Sequence, residues 1–187
     1  RNLALHRPYT ITSREPDNAG DDTNDAYSDF GGIQLTNGEL MEDSLYSVGF
    51  SFRNAEVTLD LGAELCMSSV SVNVATGDGG VAAPRTVEVM LSNDGVTFTS
   101  VAMANDIVGS GATGRSIQWV DIVLDGKMAR YVRVNVERSQ RWIVLNEIRA
   151  WSCSGGVVAE TYETFGFSGG VWADVPLNVL GINEDSS

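Results

Sequence analysis

The chain contains a single histidine, His6, which leaves little room for acid–base or nucleophilic catalysis. A Ser-His-Asp relay needs an imidazole beside a nucleophile, and His6 stands far from any nucleophile motif. It reads instead as a structural histidine. Neither G-x-S-x-G nor a phosphate-cradling P-loop occurs. The two cysteines, Cys66 and Cys153, form no C-x-x-C pair and cannot build a tetrahedral zinc site alone. A carboxylate pair could hydrolyse a glycosidic bond, but Asp and Glu total 25 and no spacing singles out two of them. EF-hand spacing fails as well. Counting from Asp21 puts Ala26 at the glycine position and Gly32 at the closing glutamate. The sequence therefore reads as non-catalytic.

Binding chemistry is better supplied. A sugar ring offers apolar C–H faces that pack on an aromatic side chain, while its hydroxyls take directional hydrogen bonds from Arg, Asn or Asp. Tyr46, Phe50, Phe52 and Arg53 precede the segment "VTLDLG", and Gln140, Arg141 and Trp142 precede the last strand-like segment. Tyr46, Phe50, Arg53, Arg141 and Trp142 are the candidate ligand-binding residues, with Arg115 beside Gly114 as a further one. Trp119 and Trp151 lie within strand patterns and read as core or edge packing.

The elements that would position these residues are strands. Val57, Leu59 and Leu61 alternate with polar residues, as do Val70, Val72 and Val74, and then Val132, Val134 and Val136. Val87, Val89 and Leu91 follow the same pattern. Period-two alternation of β-branched residues marks half-buried antiparallel strands. Thr97–Met103, Ser116–Leu124 and Ile143–Trp151 are further strands. Turn residues separate several of them at Gly77-Asp78-Gly79-Gly80, Asn93-Asp94-Gly95 and Asp125-Gly126. No segment carries a helical period, although Gly38–Leu45 could form one short turn. Roughly eight short strands imply an all-β fold, an antiparallel β-sandwich or jelly roll.

Composition narrows the partners. The formal net charge is −13, which repels phosphate backbones and anionic headgroups and so argues against nucleic acid and membrane partners. No run of about 18 apolar residues occurs. The opening Arg1-Asn2-Leu3 shows no signal pattern and reads as a mature or excised fragment. Cys66 and Cys153 admit a disulfide in an exported protein or two buried free thiols, and the second is the reading taken. Two stretches leave the strand pattern. Residues 13–52 are polar and irregular, as functional loops are. Residues 155–187 carry Phe165, Phe167 and Trp172 and either pack back on the domain or begin a neighbouring module.

Several segments together resemble the discoidin family, also called the coagulation-factor C-type domain and similar to carbohydrate-binding module family 32. They are Asn2-Leu3-Ala4-Leu5 with Arg7-Pro8, Leu35-Thr36-Asn37-Gly38, "VTLDLG" at Val57–Gly62 and "VEVMLSNDGVTF" at Val87–Phe98. "ARYVRVNV" at Ala129–Val136 and "NEI" at Asn146–Ile148 complete the set. The matching order spans residues 1–154. The resemblance implies a discoidin-like jelly roll over residues 1–154 that binds carbohydrate and belongs to a secreted or cell-surface multimodular protein. An adhesion or spacer domain of a larger extracellular enzyme is the alternative it leaves. It also implies structural calcium held by an early loop and a late glutamate. In this chain the side chains of Asn37 and Glu147, the carbonyls of Leu35 and Glu39, and the carboxylate of Asp29 would serve. Asn37 and Asn146 stand where acids are more usual in the family, which lowers the site's negative charge.

Overall fold

The computed structural model describes residues 1–12, 27–40, 47–77, 79–109 and 114–153. These belong to one compact unit, Arg1–Gly156, and the expectations for Tyr46 and for the tail from 155 onward lie outside the described residues. The strands are β1 Tyr9–Ile11, β2 Val48–Ser51, β3 Ala55–Thr76, β4 Thr86–Ser92, β5 Thr99–Asn105, β6 Ser116–Glu137 and β7 Trp142–Ser152. Two short 3-10 turns, Phe30–Gly32 and Gln34–Thr36, precede β2. The spatial order is β2-β7-β3-β6-β4-β5, with β1 beside β3, and all strand pairs are antiparallel.

The sandwich arises from bending. β3 and β6 each run for 22 residues, several times the usual strand length, and neither stays flat. Their pairing breaks between Asp60/Leu65 and again between Met67/Ser69. Gly62 holds φ at 84°, and Asp125 and Gly126 hold 50° and 80°, a left-handed pair that kinks the chain without removing it from the sheet. The first half of β3 and the second half of β6 pair with each other and carry β1 and β4, with β5 beyond β4; the second half of β3 and the first half of β6 pair in the other layer, where β3 carries β7 and β7 carries β2. Val57, Leu59, Val132 and Val134 from the first layer meet Val70, Val72, Ile143, Leu145 and Ile148 from the second in one core. Burying each such side chain contributes about 1.5–3 kcal/mol. The sandwich expected from period-two alternation is therefore present. Segments 57–61 and 70–74, read as two strands, are halves of β3, and 116–124 and 132–136 are halves of β6.

One expectation needs correction. Cys66 and Cys153 form a disulfide, with Cα atoms 5.6 Å apart, rather than two buried thiols. Sequence separation hid the pairing; the antiparallel β3–β7 ladder, which pairs Met67 with Ser152, brings the two together. Helical hydrogen bonding forms at Gln34–Thr36 and residues 38–40 are irregular, while the rest of the short turn expected over Gly38–Leu45 lies outside the described residues. Phe98, which closes the segment Val87–Phe98, is half-buried with the Arg133 guanidinium carbon 3.7 Å from its ring centroid. The turn before it behaves as expected. Asp94 Oδ1 accepts the amides of Val96 and Thr97 at 2.8 and 2.7 Å, and these bonds hold its carboxyl well below the usual range.

Candidate functional site

The aromatic end of the sandwich is assembled by three backbone clamps. β2 ends at Ser51, opposite Trp142 at the start of β7. The Phe52 amide donates to the Arg141 carbonyl at 2.8 Å, and the Trp142 amide donates to the Gly80 carbonyl at 2.9 Å. Val81 bridges Trp142 as well. These bonds fix the loops around residues 52, 80 and 141 against one another. Phe52 pays for this with a left-handed backbone, φ 57°, which a non-glycine residue adopts only under constraint. Its ring is 44% exposed.

Side chains converge on the same spot. The Arg141 guanidinium carbon lies 5.0 Å from the Phe52 ring centroid and 6.0 Å from that of Trp142, a cation–π arrangement. Trp142 is half-buried, and its ring centroid stands 5.1 Å from that of Tyr27 at an interplanar angle of 35°. Tyr27 in turn lies on β2. A Cβ on Gly49 would approach the Tyr27 Cβ to 2.6 Å, so only glycine at that position lets the ring sit there. Beside it lies a cavity of about 130 Å³ lined by Tyr27, Thr76, Val81, Arg115 and Val144. The result is an aromatic surface flanked by an exposed arginine, suited to the apolar face and the hydroxyls of a sugar.

The sequence-predicted ligand residues divide. Arg141 and Trp142 are at this surface, whereas Phe50 is only 4% exposed and Arg53 only 7%. For Phe50 the reason is parity. Phe50 pairs with Ile143 on the core face, so Gly49 and Ser51 face the other way. Phe50, on the core face, and Arg53, buried beyond the end of β2, do not present a ligand platform. Tyr27 and Phe52 take that place. Tyr27 lay hidden in the polar stretch, and its one sequence signal was Gly49, a glycine inside a strand. Arg115 donates to Ser47 Oγ and, at 3.4 Å, to Asn146 Oδ1, while Asn146 Nδ2 reaches Asn73 Oδ1 at 2.9 Å. That network braces the register shift in β7 next to Asn146. Trp119 and Trp151 lie outside the core, with Arg149 between them at 4.5 and 6.0 Å.

The second candidate centre is the loop that meets Glu147. This residue lies on β7, is fully buried, and accepts the Gly38 amide on Oε2 at 3.2 Å. Its Oε1 lies 3.6 Å from Arg149 Nε and has no hydrogen-bond partner. Burial pushes its carboxyl up to about 7, opposed by the Gly38 amide and Arg149. Asn37 Oδ1 accepts the Glu39 amide at 2.8 Å, which folds the loop tightly beside that carboxylate. Asp29 is held differently. Tyr9 Oη donates to both of its oxygens at 2.8 and 2.9 Å, and the Gln34 amide adds a third bond at 3.3 Å. Burial, with Asp29 beside it, pushes the Tyr9 phenol above its usual value. Among the described residues no group of three His, Cys, Asp or Glu converges, so a cation here would depend on backbone carbonyls together with Glu147. A buried, incompletely bonded carboxylate against an irregular loop fits a hard, oxygen-seeking cation.

The arrangement of strands and loops has close counterparts. The chitosan-binding module 1 of a chitosanase/glucanase from Paenibacillus sp. IK-5 superposes with TM-score 0.54 at 19% identity, covering 81% of this chain and 99% of that one. A mutant of the lectin-binding domain of Lectinolysin, complexed with Lewis b, gives 0.55 at 19% identity over 82% and 97%. The module CpGH89CBM32-5 from Clostridium perfringens, in complex with GalNAc-beta-1,3-galactose, gives 0.52 at 15% identity over 79% and 96%. No curated protein matches. At these identities the structures establish the fold alone. The family follows from the sequence itself: residues 23–148, running from the polar stretch through Glu147 and Ile148, match the F5/8 type C domain model, and the chain belongs to that family.

Proposed function

We propose that this chain is a non-catalytic carbohydrate-binding module that targets a secreted or cell-surface multimodular protein to glycans. The observation that carries the reading is the meeting of Trp142, Phe52 and Arg141 on loops clamped by backbone hydrogen bonds. An aromatic face with a directional donor at its rim is what a pyranose ring needs. The fold relatives named above are themselves modules described with chitosan, Lewis b or GalNAc-beta-1,3-galactose, which supports the same reading. A disulfide is at home in an oxidising compartment, and none of the helices in the described residues is long and apolar enough to cross a membrane. A single shallow surface binds weakly, and retention on a polysaccharide then draws on several modules. Screening the domain on a glycan array, followed by calorimetric titration of the hits, tests the proposal. Saturable binding to at least one glycan is expected, and an array without hits would refute it.

The same proposal includes structural calcium, held by Glu147 and Asn37 through their side chains and by the carbonyls of Leu35 and Glu39, with Asp29 bracing the loop through Tyr9. A cation that binds only the folded state stabilises it by about 2.7 kcal/mol at 100 Kd, and for a domain of this size that raises Tm by about 5–10 °C. Chelator should lower the melting temperature by that amount, added calcium should restore it, and Glu147→Gln should abolish the response. Superimposable melting curves with and without chelator would count against the cation.

A further inference from the structure

We infer that the Trp142 surface selects anionic sugars, those bearing a carboxylate or a sulfate, over neutral and amino sugars. The inference rests on the glycan reading above and adds the ligand's charge to it. Arg141 is the informative residue. Four other arginines are paired: Arg85 with Glu137 at 3.4 Å, Arg130 with Asp60 at 2.8 Å, Arg133 with Glu56 at 3.6 Å and Arg149 with Glu147 at 3.6 Å. Arg141 is exposed, and among the described residues no carboxylate pairs with it.

Its position is also fixed in advance. The carbonyl of Arg141 accepts the Phe52 amide, and its guanidinium rests near two aromatic rings. A Cβ on Gly80, whose φ is 85°, would stand 3.0 Å from the Arg141 Cβ, so the neighbouring loop closes tightly against its stem. A guanidinium held beside two rings in this way turns its N–H fork to a bound ligand. That fork matches the two oxygens of a carboxylate or sulfate, and its fixed position reduces the entropy lost on binding.

The test compares oligosaccharides of one length and linkage in four forms, uronate, sulfated, neutral and amino, titrated against the wild-type domain, Arg141→Gln and Arg141→Lys. The uronate or sulfated form should bind about 5–10-fold tighter than the neutral one, as one charge-assisted bidentate contact at an exposed site provides. Which of the two binds more tightly identifies the anion. Arg141→Gln should bring the ratio to about one, and Arg141→Lys should retain part of it, since an ammonium keeps the charge but loses the fork. Neutral or amino forms binding as tightly as the anionic ones would overturn the inference while leaving the glycan reading intact. So would an anionic preference that survives in Arg141→Gln. Absence of binding in all four forms would defeat the glycan reading and this inference with it.

Discussion

Reducing the Cys66–Cys153 bridge should destabilise the domain by about 2–5 kcal/mol, one of the largest effects expected of any local change. The two cysteines are 87 residues apart in sequence. In the chain-entropy picture, closing a loop of that size restricts the unfolded ensemble by about 4–5 kcal/mol. The bridge joins the middle of β3 to the residue just past β7, where the Cys153 amide already donates to the Cys66 carbonyl at 3.2 Å. A Cβ on Gly126 would come within 3.9 Å of both sulfurs, so the kink in β6 covers the bridge. The double variant Cys66→Ser/Cys153→Ser should therefore melt about 5–15 °C below the oxidised protein, with the same fold below the transition. Two titratable thiols in the native, unreduced protein would contradict the pairing. An unchanged Tm on reduction would show that the bridge carries no stability.

Trp142→Ala should weaken glycan binding by about 30-fold or more, the loss typical of a central aromatic anchor. For a weakly binding module that places affinity beyond detection. Stability should fall less than the about 3–5 kcal/mol lost when a core aromatic is truncated, because Trp142 is half-buried and its recorded ring partners are Tyr27 and the Arg141 guanidinium. Trp151→Ala is the matched control. That indole is also half-buried, donates from Nε1 to Ser71 Oγ at 3.1 Å, and lies on another part of the sheet. Its truncation should cost similar stability and leave binding unaltered. Equal binding by both variants would remove Trp142 from the site.

The strands were legible because burial follows a period of two: Val57, Leu59 and Leu61 are all fully buried, as their alternation implies. Continuity was not legible. Gly62 and Asp125-Gly126 carry turn chemistry, and only the sheet shows that the chain kinks there and continues. Arg141 and Trp142 could be picked out because they precede the strand pattern that begins at Ile143. Phe50 misled because the end of β2 decides its parity, and sequence does not mark that end. Tyr27 and Cys153 depend on partners far along the chain, at Trp142 and Cys66. Such contacts are set by the fold and leave no local pattern. Glu147 followed from the family resemblance, as the late glutamate of "NEI", but its full burial and its bond to the Gly38 amide come from the way β7 passes beneath the early loop.

Backbone chemical-shift mapping of the domain, titrated with a glycan that binds it, tests the central claim most directly. The perturbed amides should cluster at Phe52, Gly80, Arg141 and Trp142, with Tyr27 beside them, while those around Trp119 and Trp151 stay fixed. Perturbations confined to the groove between His6 and Glu39, or to the Trp119–Arg149–Trp151 face, would contradict the proposed site.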